Sequence, residues 1–173
     1  MPRLLILLIF LFSFPRANAQ TPTPSPATIA QRPDNVGDIA FNPALDDPNF
    51  HLHDSTRVWQ YYNSAAYWLD HKDSVTRFIR SRYHPPADAA NQDGWLTIRF
   101  IINTEGRTGR FRLFEMDSSY QPIHFDPRIS AALLATIRDW PGWTPAHYKE
   151  MRFNTYQYIT FRLRQGRITT ISP

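Results

Sequence analysis

Gly94-Trp95-Leu96-Thr97-Ile98-Arg99-Phe100-Ile101-Ile102 is the stretch whose reading decides the fold class of this chain. Leu96, Ile98, Phe100 and Ile102 alternate with Trp95, Thr97, Arg99 and Ile101. A period of two is the signature of a strand with one face turned to a core. Asn103 to Gly109 follows as a turn with two glycines, and Arg110 to Met116 reads as the returning strand, with Phe111 and Leu113 opposite in facing to Arg110 and Arg112. An antiparallel hairpin is therefore expected at the centre of the fold.

Downstream, Asp126-Pro127 predicts a helix start, an N-cap followed by proline at the first helical position. Ile129, Leu133, Ile137 and Trp140 form its apolar stripe, and Pro141-Gly142 ends it. A long strand is expected over Asn154–Leu163, where β-branched and aromatic residues dominate. Thr155, Gln157, Ile159, Phe161 and Leu163 would share one face, and Tyr156, Tyr158, Thr160 and Arg162 the other. Gln165-Gly166 offers a turn into a short strand, Ile168 to Ile171. Upstream, Asp54 or Ser55 predicts the cap of a first helix with Val58, Tyr62, Ala65, Ala66 and Leu69 inward, broken at Asp70-His71-Lys72. A second helix fits Asp73 to Arg82, with Val75, Phe78 and Ile79 inward. It ends before Pro85-Pro86, because proline lacks the N–H and its predecessor avoids helix. The expected class is α+β: a small antiparallel sheet of three strands, with a possible short fourth, and helices packed on one face.

The N-terminus reads as an export signal over residues 1–19. Arg3 precedes the apolar run Leu4 to Phe14, and Ala17-Asn18-Ala19 supplies a small-x-small cleavage pattern before Gln20. An uncleaved anchor would need about 20 apolar residues. Residues 20–50 read as a Pro-rich leash and irregular coil, and 51–173 as one domain. The chain of 173 residues has no cysteine, which excludes disulfides, thiol nucleophiles and a lipid-bearing cysteine. Charge is uneven: Gln20–Gly94 carries 6 basic against 9 acidic residues, and Trp95–Pro173 carries 11 against 6. A basic face attracts acidic partners. Outside the cytoplasm these do not include nucleic acid.

Four features together resemble the TonB C-terminal domain family over about residues 75–163. They are Tyr83-His84-Pro85-Pro86 after a helix, the hairpin from Gly94 to Gly106, the turn Trp143-Thr144-Pro145-Ala146, and the strand Tyr158-Ile159-Thr160-Phe161-Arg162-Leu163. The chain departs from the family's energy-transducing members in its expected cleavable signal and short leash, and in having His147-Tyr148-Lys149 after the Pro-Ala turn. The resemblance implies a non-enzymatic periplasmic or secreted protein, similar to small secreted TonB-like chains. It would bind a peptide, such as one from an outer-membrane receptor, by strand addition. Tyr156, Tyr158, Thr160 and Arg162 would then be the partner-binding residues of an edge strand left open from Asn154 to about Ile159. A structural or self-associating envelope protein with a covered edge is the alternative, and a homodimer is left open.

Other constellations point less far. Arg99, Arg110, Arg112 and Arg162 would share the polar sheet face, either merely solvated or as a surface for acidic peptide or lipid headgroups. His51 and His53, with Asp54, could form a metal site on an extended segment, but a zinc site needs three or four ligands of suitable type and no other His-rich cluster accompanies them. Trp59, Tyr61, Tyr62, Tyr67 and Trp68 read either as core or as a carbohydrate or peptide platform. Glu105 and Glu115 lie across the hairpin, and paired carboxylates catalyse only in a cleft that shifts their pKa. No nucleophile elbow or phosphate loop appears. The expectation is no catalytic residue, no cofactor and no metal.

Overall fold

Strand β2 (Gly94–Ile102) lies between β3 (Thr108–Met116) and β5 (Met151–Arg164), antiparallel to both. This computed structural model describes residues 38–60 and 67–172. The expected signal and leash lie outside them, as do Tyr61, Tyr62, Ala65 and Ala66 and the side chains of Tyr67, Trp68 and Leu69. Among the described residues there are six strands and two helices, so the α+β class holds, and the three expected strands are half of a larger mixed sheet, with β3 at one edge of it.

The alternation of β2 works as its sequence requires. Leu96, Ile98, Phe100 and Ile102 are buried on one face beside Ile159, Phe161 and Leu163 of β5. Helix α1 (Tyr67–Arg82) contributes Val75 and Ile79 to that layer, and α2 (Pro127–Arg138) contributes Ile129, Leu133 and Ile137. The Asp126 side chain caps α2 by accepting from Arg128 N, with Pro127 next in line. Trp143 is buried in the turn after α2, its Nε1 donating to Ile137 O at 2.9 Å and its ring edge-on to Phe100.

Strand β6 (Arg167–Ser172) is the expected short strand, antiparallel to the end of β5. Gln165 and Gly166 join the two with φ of 50° and 69°. That double left-handed conformation suits a two-residue hairpin. A Cβ on Gly166 would stand 2.6 Å from that of Ala89, so only glycine fits. Arg80 of α1 reaches over to donate to the carbonyls of Ile168 and Thr169.

The expected start of the first helix is corrected, its middle, 61–66, lying outside the described residues. Val58–Gln60 forms β1, a short strand parallel to Asn154–Tyr156 of β5. The Asp54 signal is a turn and not a helix cap: its carboxylate accepts from the N–H and hydroxyl of Thr56. The same local bond serves both structures, so the residue type alone does not separate them. The expected break at Asp70-His71-Lys72 is absent, and α1 runs through it. A further short strand, β4 (Ala146–Tyr148), pairs with Met151–Phe153.

The second face of the sheet has a core of its own. Ile39 and Phe50 are buried against Ile101 and Tyr156, with Leu52 and Val58 at the margin. Phe50 lies on Gly109, where a Cβ would come within 2.4 Å of the Phe50 ring. Residues 38–50 thus pack in one unit with the residues that follow them. Residues 38–50 are irregular in conformation, as expected, yet they cover sheet.

Candidate functional site

The outer edge of β5 differs from expectation. β2 occupies one side of β5 from Thr155 to Leu163, so β1 and β6 both lie along the other side. β1 covers Asn154–Tyr156, β6 covers Thr160–Arg164, and the gap between them faces only Gln157–Ile159. The open edge expected from Asn154 to Ile159 is reduced to that gap. Strand-forming Val58 and Trp59 outweighed the helical spacing read through them.

The four residues expected to meet a partner divide accordingly. Tyr156 belongs to the second core, and its hydroxyl donates to Asp38 Oδ1 at 2.8 Å. Burial, with that bond, pushes its phenol up to about 12. Tyr158, Thr160 and Arg162 stand further along the same face. Thr160 Oγ1 is 3.0 Å from Thr97 Oγ1, and the exposed Arg162 guanidinium lies 5.2 Å from the centre of the Trp95 ring.

The expected basic sheet face is also divided. Arg112 donates through Nη1 and Nη2 to the two Asp46 oxygens, at 2.7 and 2.8 Å, and through Nη2 to Ala40 O. Arg110, at a left-handed φ of 54° beside the irregularity where β3 passes Phe100, donates to Ile39 O and covers the Phe41 ring. These two arginines hold the 38–46 segment onto the sheet. Arg99 lies over Phe114 at 6.0 Å. The part of the second face beyond the 38–52 segment therefore carries Arg99 and Arg162 interleaved with Trp95, Phe114 and Tyr158. Tyr120, 65% exposed, stacks on Trp95 at its rim.

Among the described residues, a hydroxyl, an imidazole and a carboxylate come together on the opposite face. Ser130 Oγ donates to Glu115 Oε1, and His124 Nδ1 is 3.3 Å from Glu115 Oε2, which also accepts from Phe125 N. In nucleophilic hydrolysis the imidazole stands between hydroxyl and carboxylate to take the proton. Here the carboxylate stands between the other two, the reverse of that order. The cluster fastens the 121–126 loop to β3. Glu105 sits in the hairpin turn, where its N–H donates to Asn103 Oδ1, while Glu115 is paired with Leu96 near the far end of the hairpin. The two carboxylates form no pair.

Among the described residues no group of three His, Cys, Asp or Glu side chains is placed to hold a metal ion. His51 serves through its main chain, its carbonyl accepting from Asn103 Nδ2. No described helix is long and apolar enough to cross a membrane. No protein-family model, curated protein or solved structure matches the chain.

Proposed function

We propose that this chain is a non-enzymatic, exported protein-binding module of the cell envelope. It takes an extended acidic peptide on the part of its second sheet face that the 38–52 segment does not cover. The observation that carries this reading is the interleaving there of Arg99 and Arg162 with Trp95, Phe114 and Tyr158. Guanidinium planes stacked on aromatic rings pair with carboxylates while the rings supply apolar area. The resemblance to TonB-like domains implies a peptide ligand taken by strand addition, and the lining of most of the β5 edge by β1 and β6 is the reason for proposing the sheet face in place of that edge.

The test is a titration of the isotope-labelled protein with decapeptides that alternate Asp or Glu with aromatic residues. Saturable shifts are expected at the Trp95 indole and at the Thr97 and Thr160 amides, and affinity should fall with salt. Arg162→Glu should abolish binding with melting unchanged, since that side chain is exposed. Equal binding of an uncharged peptide, or shifts confined to Gln157–Ile159, would sink the reading.

The lining of β5 by β1 and β6 favours a second reading, a structural or self-associating protein. Sedimentation across a wide concentration range separates the two. Reversible dimerisation that blocks the peptide supports self-association.

A further inference from the structure

At the opposite end of the sheet from the Trp95 surface lies a cavity of about 290 Å³. Its walls come from the loop before β1, the β2–β3 turn and the start of β5. Two buried asparagines fix these walls. Asn103 donates to His51 O and accepts from the N–H groups of Glu105 and Arg107, tying turn to loop. Asn154, 1% exposed, donates to Asp54 O and ties the same loop to β5. The cavity is thus held by side chain to main chain bonds among three segments distant in sequence.

Its lining has two characters. Arg57 and Arg152 bring two guanidiniums against one carboxylate, Asp54. Asp54 Oδ1 accepts from the Thr56 N–H and hydroxyl, at 3.0 and 2.6 Å, bonds that hold its pKa below the usual range, and its Oδ2 stands 3.7 Å from Arg57 Nε, so the three charged groups leave one net positive charge for a ligand. Met151 and Phe153 supply apolar surface, and Phe153 is backed by the Trp59 ring at 4.6 Å. A concave site of this size, apolar with a few charged groups, suits a small organic ligand.

We infer that this cavity binds a small carboxylic acid with an apolar body, the carboxylate on Arg57 and Arg152 and the body against Met151 and Phe153. Guanidinium and carboxylate match in shape and charge, which gives the pair direction as well as attraction. The site is separate from the proposed peptide surface, so either can fail without the other.

Phenylacetate is the probe, followed by nuclear magnetic resonance of the labelled full chain, with the neutral methyl ester and phenethylamine as controls. Phenylacetate should bind with a Kd of about a few millimolar. It should shift the Thr104, Arg152, Phe153 and Asn154 amides, and phenethylamine should not. Arg57→Gln with Arg152→Gln should weaken it at least about fivefold, an effect of losing the charged partners. Both arginines are at the surface, so melting should hold. Equal affinity for the ester would overturn the inference by showing an apolar cleft indifferent to charge. Shifts spread over arginines elsewhere, or none that saturate, would overturn it too.

Discussion

Arg112 and Asp46 meet through two hydrogen bonds of 2.7 and 2.8 Å, and they join an irregular segment to the edge strand β3. Asp46 has only 1% of its side chain exposed, against 21% for Arg112. Removing the arginine strands the more deeply buried charge. Arg112→Ala should therefore cost about 2–4 kcal/mol, close to the range for breaking a buried pair. The bond to Arg112 is also the main cause that holds the Asp46 carboxyl below its ordinary 3.8. A carboxylate depressed in the fold contributes stability that is present above its unfolded pKa and lost as pH falls through the folded value. Urea midpoints should thus drop as pH falls below about 4. That drop should be smaller in Arg112→Ala, and an equal drop in both proteins would mean that other carboxylates set the acid limit.

Two phenols make the alkaline limit. Tyr83 is buried with its hydroxyl donating to Gly166 O at 2.6 Å, and burial pushes it up to about 12. Tyr156 is raised to about 12 as well, by burial and then by Asp38. Both are neutral in the fold. A raised pKa contributes stability that is present below the unfolded value, near 10, and lost as pH rises through the folded one. Absorbance titration should show these two of the 8 tyrosines ionising late, together with unfolding. Tyr156→Phe should remove one late step and lose only the bond to Asp38, about 1 kcal/mol. Early titration of all tyrosines in the folded protein would contradict the packing of the second face.

The middle of this fold was legible because its residues carry a period. β2, β3, α2 and the inward side of β5 follow from alternation or from an apolar stripe, and Trp143 lies buried in the turn where its motif placed it. β1 was not legible. It spans three residues, and its partner lies almost a hundred residues away in the chain. Nor was the packing of 38–52, since Ile39, Phe50 and Leu52 are isolated apolar residues among Pro, Asn and Asp. Ile101 was the available signal. A fully buried isoleucine on the supposed polar face of β2 requires a second cover, and Gly109, which admits the Phe50 ring, lies opposite it. The Arg and aromatic face was half legible. Composition and facing located Arg99 and Arg162, but only the fold shows that Arg110 and Arg112 serve the 38–46 segment.

The state of the β5 edge separates strand addition from binding on the sheet face, and the last six-residue strand controls it. β6 pairs with Thr160–Arg164 and buries Ile171, which is 7% exposed. Ending the chain after Gly166 would keep the turn and the Tyr83 bond while baring that stretch of β5. The loss of Ile171 and its neighbour Ile168 should lower stability by about 2–4 kcal/mol. An unpaired strand of this length is a template for pairing. The shortened protein should therefore self-associate with concentration, and the intact protein should show slow amide exchange across Thr160–Arg164. Thr170→Pro, which removes one N–H from β6, provides a milder opening should the truncation fail to fold. Acidic peptides should still bind the opened proteins at the Trp95 face. If instead they bind only once β6 is gone, with protection appearing along β5, then the last strand is the docking element and β6 is its displaceable cover.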